Sequence, residues 1–349
     1  MSNLKQRLPF GSTDLTVPPI IFGTSAFGNL YLELPYEKKR RIAERWFECI
    51  EGPVVIDTAG KYGAGMALEM VGRTLNDLGV APERVIISNK LGWKRVPLTG
   101  PEPTFELGVW KGIGHDAVQA ISYFGILECW QQGCELLGGD YVPQLVSIHD
   151  PDEYLDGADS DSDREKRVAD LLEAYRALDE LKKKGLVQAV GVGAKTWQVI
   201  RELSRFVRFD WVMFAGSYTL HTHPRQLLEY MKELARQGVA IINAAVFNAG
   251  FLTGGAYFNY RKPDDIRDPD LFLWRSRFFR ICDRHRIKPA DACVEFGLSP
   301  PEVLCVALNT SKAERVAENV RAVLTKAPKA FWRDMKKEGL LNPSYSYLG

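Results

Sequence analysis

The chain alternates short apolar runs with longer amphipathic stretches. Apolar runs of a few residues bounded by turn formers suit buried strands. Apolar residues recurring at three- and four-residue steps suit helices with one buried face. On these rules residues 8–10 and 15–17, separated by Gly11-Ser-Thr-Asp14, predict a small N-terminal β-hairpin. Strands are predicted at 19–23, 53–57, 84–88, 144–148, 187–191, 210–214, 239–243 and 303–306. Helices are predicted at 36–50, 66–79, 121–138, 165–184, 196–205, 224–237, 270–286, 289–298 and 312–324, the last being the final major one. The pattern is clearest at 165–184, where Val168, Leu171, Leu172, Tyr175, Leu178 and Leu181 form one stripe. Lys182-Lys-Lys184 and then Gly185 supply the expected stop.

Eight strand-then-helix units predict an α/β chain folded as one (β/α)₈ TIM barrel, a single domain over 1–349. A doubly wound open sheet shows the same alternation, but its G-x-G-x-x-G fingerprint is absent: the first strand runs into Gly23-Thr-Ser-Ala-Phe-Gly28. Residues 92–119 insert between the third strand and its helix. A βα loop of that length lies on the C-terminal face of a barrel, where active sites are built. The C-terminal segment 342–349 reads as a tail that closes over the mouth or frays.

Composition narrows the class. The 349 residues carry 45 Lys+Arg against 44 Asp+Glu, a net charge of +1, which argues against an extended nucleic-acid or anionic-membrane footprint. No apolar run approaches the ~20 residues of a membrane helix, and no secretory leader is legible, so a cytoplasmic location is expected. The six cysteines form no C-x-x-C pair and lie in apolar segments, which suits buried thiols in a reducing compartment.

Four polar residues follow the predicted strand ends: Asp57 the second, with Tyr62 five residues on, Lys90 the third and His149 the fourth. Singly, each fits a structural ion pair or hydrogen bond. Together, on adjacent strands at matching ends, they converge on one mouth. A phenol of pKa about 10 exchanges protons poorly near neutrality. A neighbouring lysine cation lowers that value, and about 4 kcal/mol of differential interaction brings it to about 7. An aspartate can hold the lysine, and a histidine can orient a substrate oxygen. This set exchanges a proton with a carbonyl/alcohol pair and needs no metal.

Over about residues 20–325 the chain resembles the aldo-keto reductase superfamily. Asp, Tyr, Lys and His in this order resemble that family's catalytic tetrad, mapped onto Asp57, Tyr62, Lys90 and His149. Phe22-Gly-Thr24 and Asp57-Thr-Ala-Gly-Lys-Tyr-Gly63 resemble its signatures. The resemblance implies NAD(P)-dependent hydride transfer, with Tyr62 as general acid or base. It assigns the coenzyme to Gly23 and Thr24, to the Gly-rich loop with Asn248, Gly250, Leu252 and Gly254, and to the segment Asn309, Thr310, Ser311, Lys312, Arg315, Glu318 and Asn319. Helix N-terminal amides there would hold the pyrophosphate.

Three family positions depart: Gly193-Ala194 replaces Ser-Asn, the strand-six Gln is absent from 213–218, and the stacking Tyr is replaced within 244–246. Ser217, Tyr218 or backbone groups are then expected to hold the carboxamide. Asn309, where NADP users often carry Lys, tilts the choice between NAD and NADP toward NAD. The same departures, with Gly108-Val-Trp-Lys-Gly112 and Gly193-Ala-Lys-Thr-Trp197, resemble the sugar-dehydrogenase branch. That branch oxidises C1 of L-fucose, L-galactose or D-threo-aldoses to lactones, and related members act on pyridoxal. Phe27, Tyr31, Trp93, Trp110 and Tyr123 are the candidate sugar-pocket aromatics.

The alternatives are an NADPH-dependent reductase of small aldehydes or ketones and a coenzyme-binding regulatory subunit. The substrate is a small sugar or carbonyl compound, and oligomeric state leaves no signal. His221-Thr-His223 lacks a carboxylate set for a metal, so none is expected, and the acidic run after His149 reads as a solvated loop.

Overall fold

The apolar runs do pair side by side. The computed structural model describes residues 4–259 and 261–349. Its strands are β1 (Leu8–Pro9), β2 (Thr16–Val17), β3 (Ile20–Gly23), β4 (Val54–Ala59), β5 (Val85–Leu91), β6 (Trp93–Pro97), β7 (His115–Gln119), β8 (Leu145–His149), β9 (Ala189–Ala194), β10 (Trp211–Ala215), β11 (Ala240–Ala244) and β12 (Val303–Leu308). β3, β4, β5, β8, β9, β10, β11 and β12 pair in parallel, and β12 closes back onto β3, giving a (β/α)₈ barrel. β1 and β2 form the N-terminal hairpin.

Strand periodicity sorts the apolar residues into two cores. Ile21, Val55, Leu145, Trp211, Ile242 and Cys305 fill the interior, and Phe10 and Val17 from the hairpin join them. The alternate residues Ile20, Phe22, Val54, Ile56 and Val306 face the helices. β9 is unusual: Ala189, Gly191 and Gly193 form a row of small residues. A Cβ on Gly191 would overlap the Trp211 indole, and one on Gly193 would lie 3.2 Å from Lys90 Cδ. The strand is thin because its neighbours' side chains occupy the interior.

Three segments differ from the sequence expectation. The 92–119 insert contains an antiparallel pair, Trp93 opposite Gln119 through Pro97 opposite His115. A helix, Lys329–Lys337, follows the one expected to be last, and it buries Phe331, Trp332 and Met335 among its lysines. The tail docks: Tyr345 is buried on Phe296, and its hydroxyl shares hydrogen bonds with Tyr218 and Ser299. Five of the cysteines are buried and Cys134 is partly so. No helix among the described residues is long and apolar enough to cross a membrane.

Candidate active site

The inward parity that fills the barrel also fixes its polar residues. Two positions beyond inward Val55, Asp57 points into the C-terminal end of the barrel; Ser88 and Lys90 continue the same row on β5, and Ser147 and His149 on β8. Lys90 Nζ lies 2.5 Å from Asp57 Oδ2, and Ser88 Oγ donates to Asp57 Oδ1 at 3.1 Å. Both members of the pair are 3% exposed. A buried ion pair survives only with close geometry and further hydrogen bonds, and Ser88 supplies one.

Tyr62 sits in the turn after β4, held on both sides by close backbone approach. A Cβ on Gly63, whose φ is +62°, would overlap the Gly28 carbonyl, and one on Gly60 would overlap the Trp93 carbonyl. The Tyr62 ring therefore has little room to shift. Lys90 Nζ lies 4.8 Å from its centroid. His149 meets Tyr62 edge-on, with centroids 5.5 Å apart at 85°, and Trp110 is 5.9 Å away on another side.

These residues line one cavity of about 600 Å³, within the usual range for small-molecule sites. Asp57, Tyr62, Lys90 and His149 are all on its wall, as are Gly23, Thr24, Gly250, Asn309, Thr310, Ser311, Arg315, Glu318 and Asn319. Tyr31 and Trp110 line it too. The helix Glu314–Leu324 starts at this wall without a side-chain cap, so the positive end of its dipole faces the cavity beside Arg315. Ala245, Asn248 and Ala249 on the loop after β11 adopt φ of +54°, +47° and +57°. Non-glycine residues held there cost on the order of 1 kcal/mol or more each and cluster at ligand clamps.

Other expected residues lie elsewhere. Phe27 is buried and stacked on Trp46, 5.3 Å away. The Tyr123 hydroxyl donates to Glu180 on the outer helical layer. Trp93 stands one layer behind the wall, against Phe105 and 5.1 Å from Lys61 Nζ. Tyr218 is taken up by Phe296 and Tyr345, and the Ser217 hydroxyl donates to the Lys195 carbonyl. Asn248 and Leu252 are fully buried, the former donating to Asn259. Gly254 ends the short turn Phe251–Thr253, and exposed Lys312 is off the cavity wall. Below the mouth, Gly193, Met213, Ala215 and Ala244 form an apolar floor.

Sequence reasoning missed an ion network flanking Tyr62 and His149. Lys61, 2% exposed, pairs with Glu106 at 2.9 Å, Asp150 at 3.4 Å and Glu153 at 2.6 Å. Lys195 pairs with the same Asp150, at 3.4 Å, and with Glu153. The start of the acidic run after His149 is therefore not a solvated loop, whereas Asp156, Asp159 and Asp161 further along are exposed. Asp150 and Asp152 are buried, and Pro151–Asp156 is a helix. Asp152 accepts from the Lys195 and Thr196 amides at 3.0 and 2.7 Å, capping the helix Trp197–Leu203. Proline at a first helical turn was the available signal.

Burial holds His149 well below its ordinary pKa, with the Lys90 and Lys61 charges adding to it. Burial also lowers His221 and His223. In the native state these three histidines stay neutral, while in the unfolded chain they take up protons below about pH 6.5. Stability is therefore full above that pH and falls as pH drops through it, by up to about 1.4 kcal/mol per pH unit for each such group. Urea midpoints between pH 7.5 and 5.5 should show this decline, and His149→Asn should shallow it. An unchanged slope in that variant would contradict a neutral, desolvated His149.

A family model described as "Aldo/keto reductase family" matches residues 19–338. The chain belongs to this family. Its members are NAD(P)-dependent oxidoreductases, and the arrangement around Tyr62 is to be read in that light. Pyridoxal 4-dehydrogenase from Microbacterium luteolum is 26% identical over 352 residues, covering 97% of this chain and 98% of the relative. D-threo-aldose 1-dehydrogenase from Pseudomonas sp is 24% identical, covering 94% and 95%. Among solved structures, an aldo-keto reductase from Bacillus halodurans superposes with a TM-score of 0.68 at 22% identity, covering 98% of each chain.

Proposed function

We propose that this aldo-keto reductase oxidises the C1 carbinol of an aldose, and that Tyr62 takes the substrate proton. The observation that carries the reading is the convergence of Tyr62, His149 and the Lys90–Asp57 pair on one cavity. The residues present fit a dinucleotide. Gly23 brings the β3 backbone close to Asn309, its Cβ position lying 3.3 Å from the Asn309 Cβ, and the uncapped helix start beside Arg315 suits a phosphate. NAD or NADP would be held by Gly23, Thr24, Gly250, Asn309–Ser311, Arg315 and Asn319. When bound, it supplies the hydride acceptor or donor. The floor of Gly193, Met213, Ala215 and Ala244 offers a nicotinamide ring an apolar face, leaving its amide to backbone groups.

The chain's own residues handle the proton and the orientation. Lys90, beneath the Tyr62 ring, favours the phenolate electrostatically, and Asp57 fixes Lys90 and balances its charge. Neutral His149 donates to the substrate oxygen and sets its position. Oxidation passes the hydroxyl proton to Tyr62 Oη; reduction returns it.

The residues flanking Tyr62 and His149 favour a polyhydroxy substrate. Trp110 offers an aromatic face to sugar C–H groups, while Lys195 offers a donor within the same cavity. Pyridoxal, an aromatic ring bearing hydroxyls, is a second reading, favoured by full-length similarity to a pyridoxal dehydrogenase. The test is formation of reduced nicotinamide, followed by its absorbance, with L-fucose, L-galactose, D-arabinose and pyridoxal, each with NAD and NADP. Turnover of a sugar with release of the lactone is expected. Turnover of pyridoxal alone would replace the aldose reading, and turnover of neither would end both.

A further inference from the structure

Lys61 takes no part in the proton transfer above, yet it is buried beside Tyr62 with three carboxylates around it. Isolated buried charges are costly, so this cation is held by its partners and holds them in turn. Asp150 and Glu153 are set by the helix after β8. Glu106 belongs to the 92–119 insert and has a left-handed backbone, φ +43°. One Glu106 oxygen meets Lys61, and the other accepts the Trp110 indole N–H at 2.7 Å. The Trp110 backbone is placed separately. Leu30 bridges it, the Tyr31 amide donates to the Val109 carbonyl at 2.9 Å, and the Lys111 amide donates to the Asn29 carbonyl at 3.1 Å. Those contacts position the segment, and the Glu106 bond turns the indole toward Tyr62.

We propose that Lys61 is a specificity-determining positioning residue: through Glu106 it orients Trp110 against Tyr62 and so sets substrate affinity. This rests on the assignment of Tyr62 and Trp110 to the substrate pocket. Lys61 is held by three carboxylates and stands outside the set of Tyr62, Lys90, Asp57 and His149. Its removal should loosen substrate binding and spare the chemical step.

Lys61→Met and Glu106→Ala are each expected to raise KM about tenfold, within the coupling range of residues in one network. kcat should stay within about twofold, because the proton-transfer groups are intact. Coenzyme binding, followed by reduced-nicotinamide fluorescence, should not change. Because the two residues act in series, the double variant should be no worse than either single. The kinetics use whichever of D-arabinose, L-fucose or pyridoxal the parent turns over. A crystal structure of Lys61→Met needs no substrate and should show the indole displaced from Tyr62.

A kcat loss at unchanged KM, a double variant equal to the product of the singles, or an unmoved indole would each overturn the proposal. If Lys61→Met does not fold, the same cycle is run with Glu106→Ala and Trp110→Phe, where additivity is again the refuting result. Activity retained in Tyr62→Phe would instead refute the catalytic reading, so the two failures are distinguishable.

Discussion

Tyr62→Phe is expected to lose about a thousandfold in turnover and to bind coenzyme as before. Positioned acid–base groups contribute roughly 10²- to 10⁴-fold, and a thousandfold corresponds to about 4 kcal/mol of barrier. Only the hydroxyl is removed, while the ring that packs between Lys90, His149 and Trp110 remains. Folding stability should therefore change by no more than about 1 kcal/mol. Steady-state kinetics, coenzyme titration and a urea melt on one preparation measure all three. A variant with parental turnover would remove Tyr62 from the chemistry. A variant that melts early would show that the loss came from the scaffold.

Lys90→Met should be harmful twice over. It removes the cation beneath the phenol and strands the Asp57 carboxylate, 3% exposed, with Ser88 as its remaining side-chain donor. Breaking a buried pair from one side costs about 3–5 kcal/mol, whereas replacing both partners by apolar groups is often neutral or stabilising. Asp57→Leu combined with Lys90→Met should thus recover most of the lost stability and none of the turnover. The two residues are in direct contact, so this departure from additivity is itself the signature. Equal stability of Lys90→Met and the parent would mean that the pair is not the neutralising unit its geometry indicates.

The barrel was legible because its signals are local. Each strand is a short apolar run with its polar residue at the C-terminal end, and parity carries Asp57, Lys90 and His149 to one mouth. Tyr62 was legible from its spacing after β4. The Lys61 network was not, because its partners are Glu106, Asp150, Glu153 and Lys195, brought together by three separate loops. A lysine in a turn and a glutamate in an insert each look solvated when read alone. The aromatics divide for the same reason. Tyr31 and Trp110 reach the cavity, whereas Phe27 and Tyr123 have equally suitable side chains but sit beneath Trp46 and on an outer helix. The helix Pro151–Asp156 was hidden by its acidic composition, since the sequence does not show that Asp152 caps a segment more than forty residues away.

The small-residue row on β9 constrains which positions of this protein can change. Gly191 gives its space to Trp211, and Gly193 stands against the Lys90 stem. Shrinking residue 211 would not admit a larger residue at 191, because a Cβ there would also lie 2.5 Å from the Trp211 backbone carbonyl oxygen. At 193 an added Cβ would need the Lys90 stem to yield by a few tenths of an ångström, and that stem carries the site's cation. Position 191 is thus expected to stay glycine in random libraries whatever stands at 211, while 193 accepts alanine only as far as Lys90 can shift without leaving Asp57.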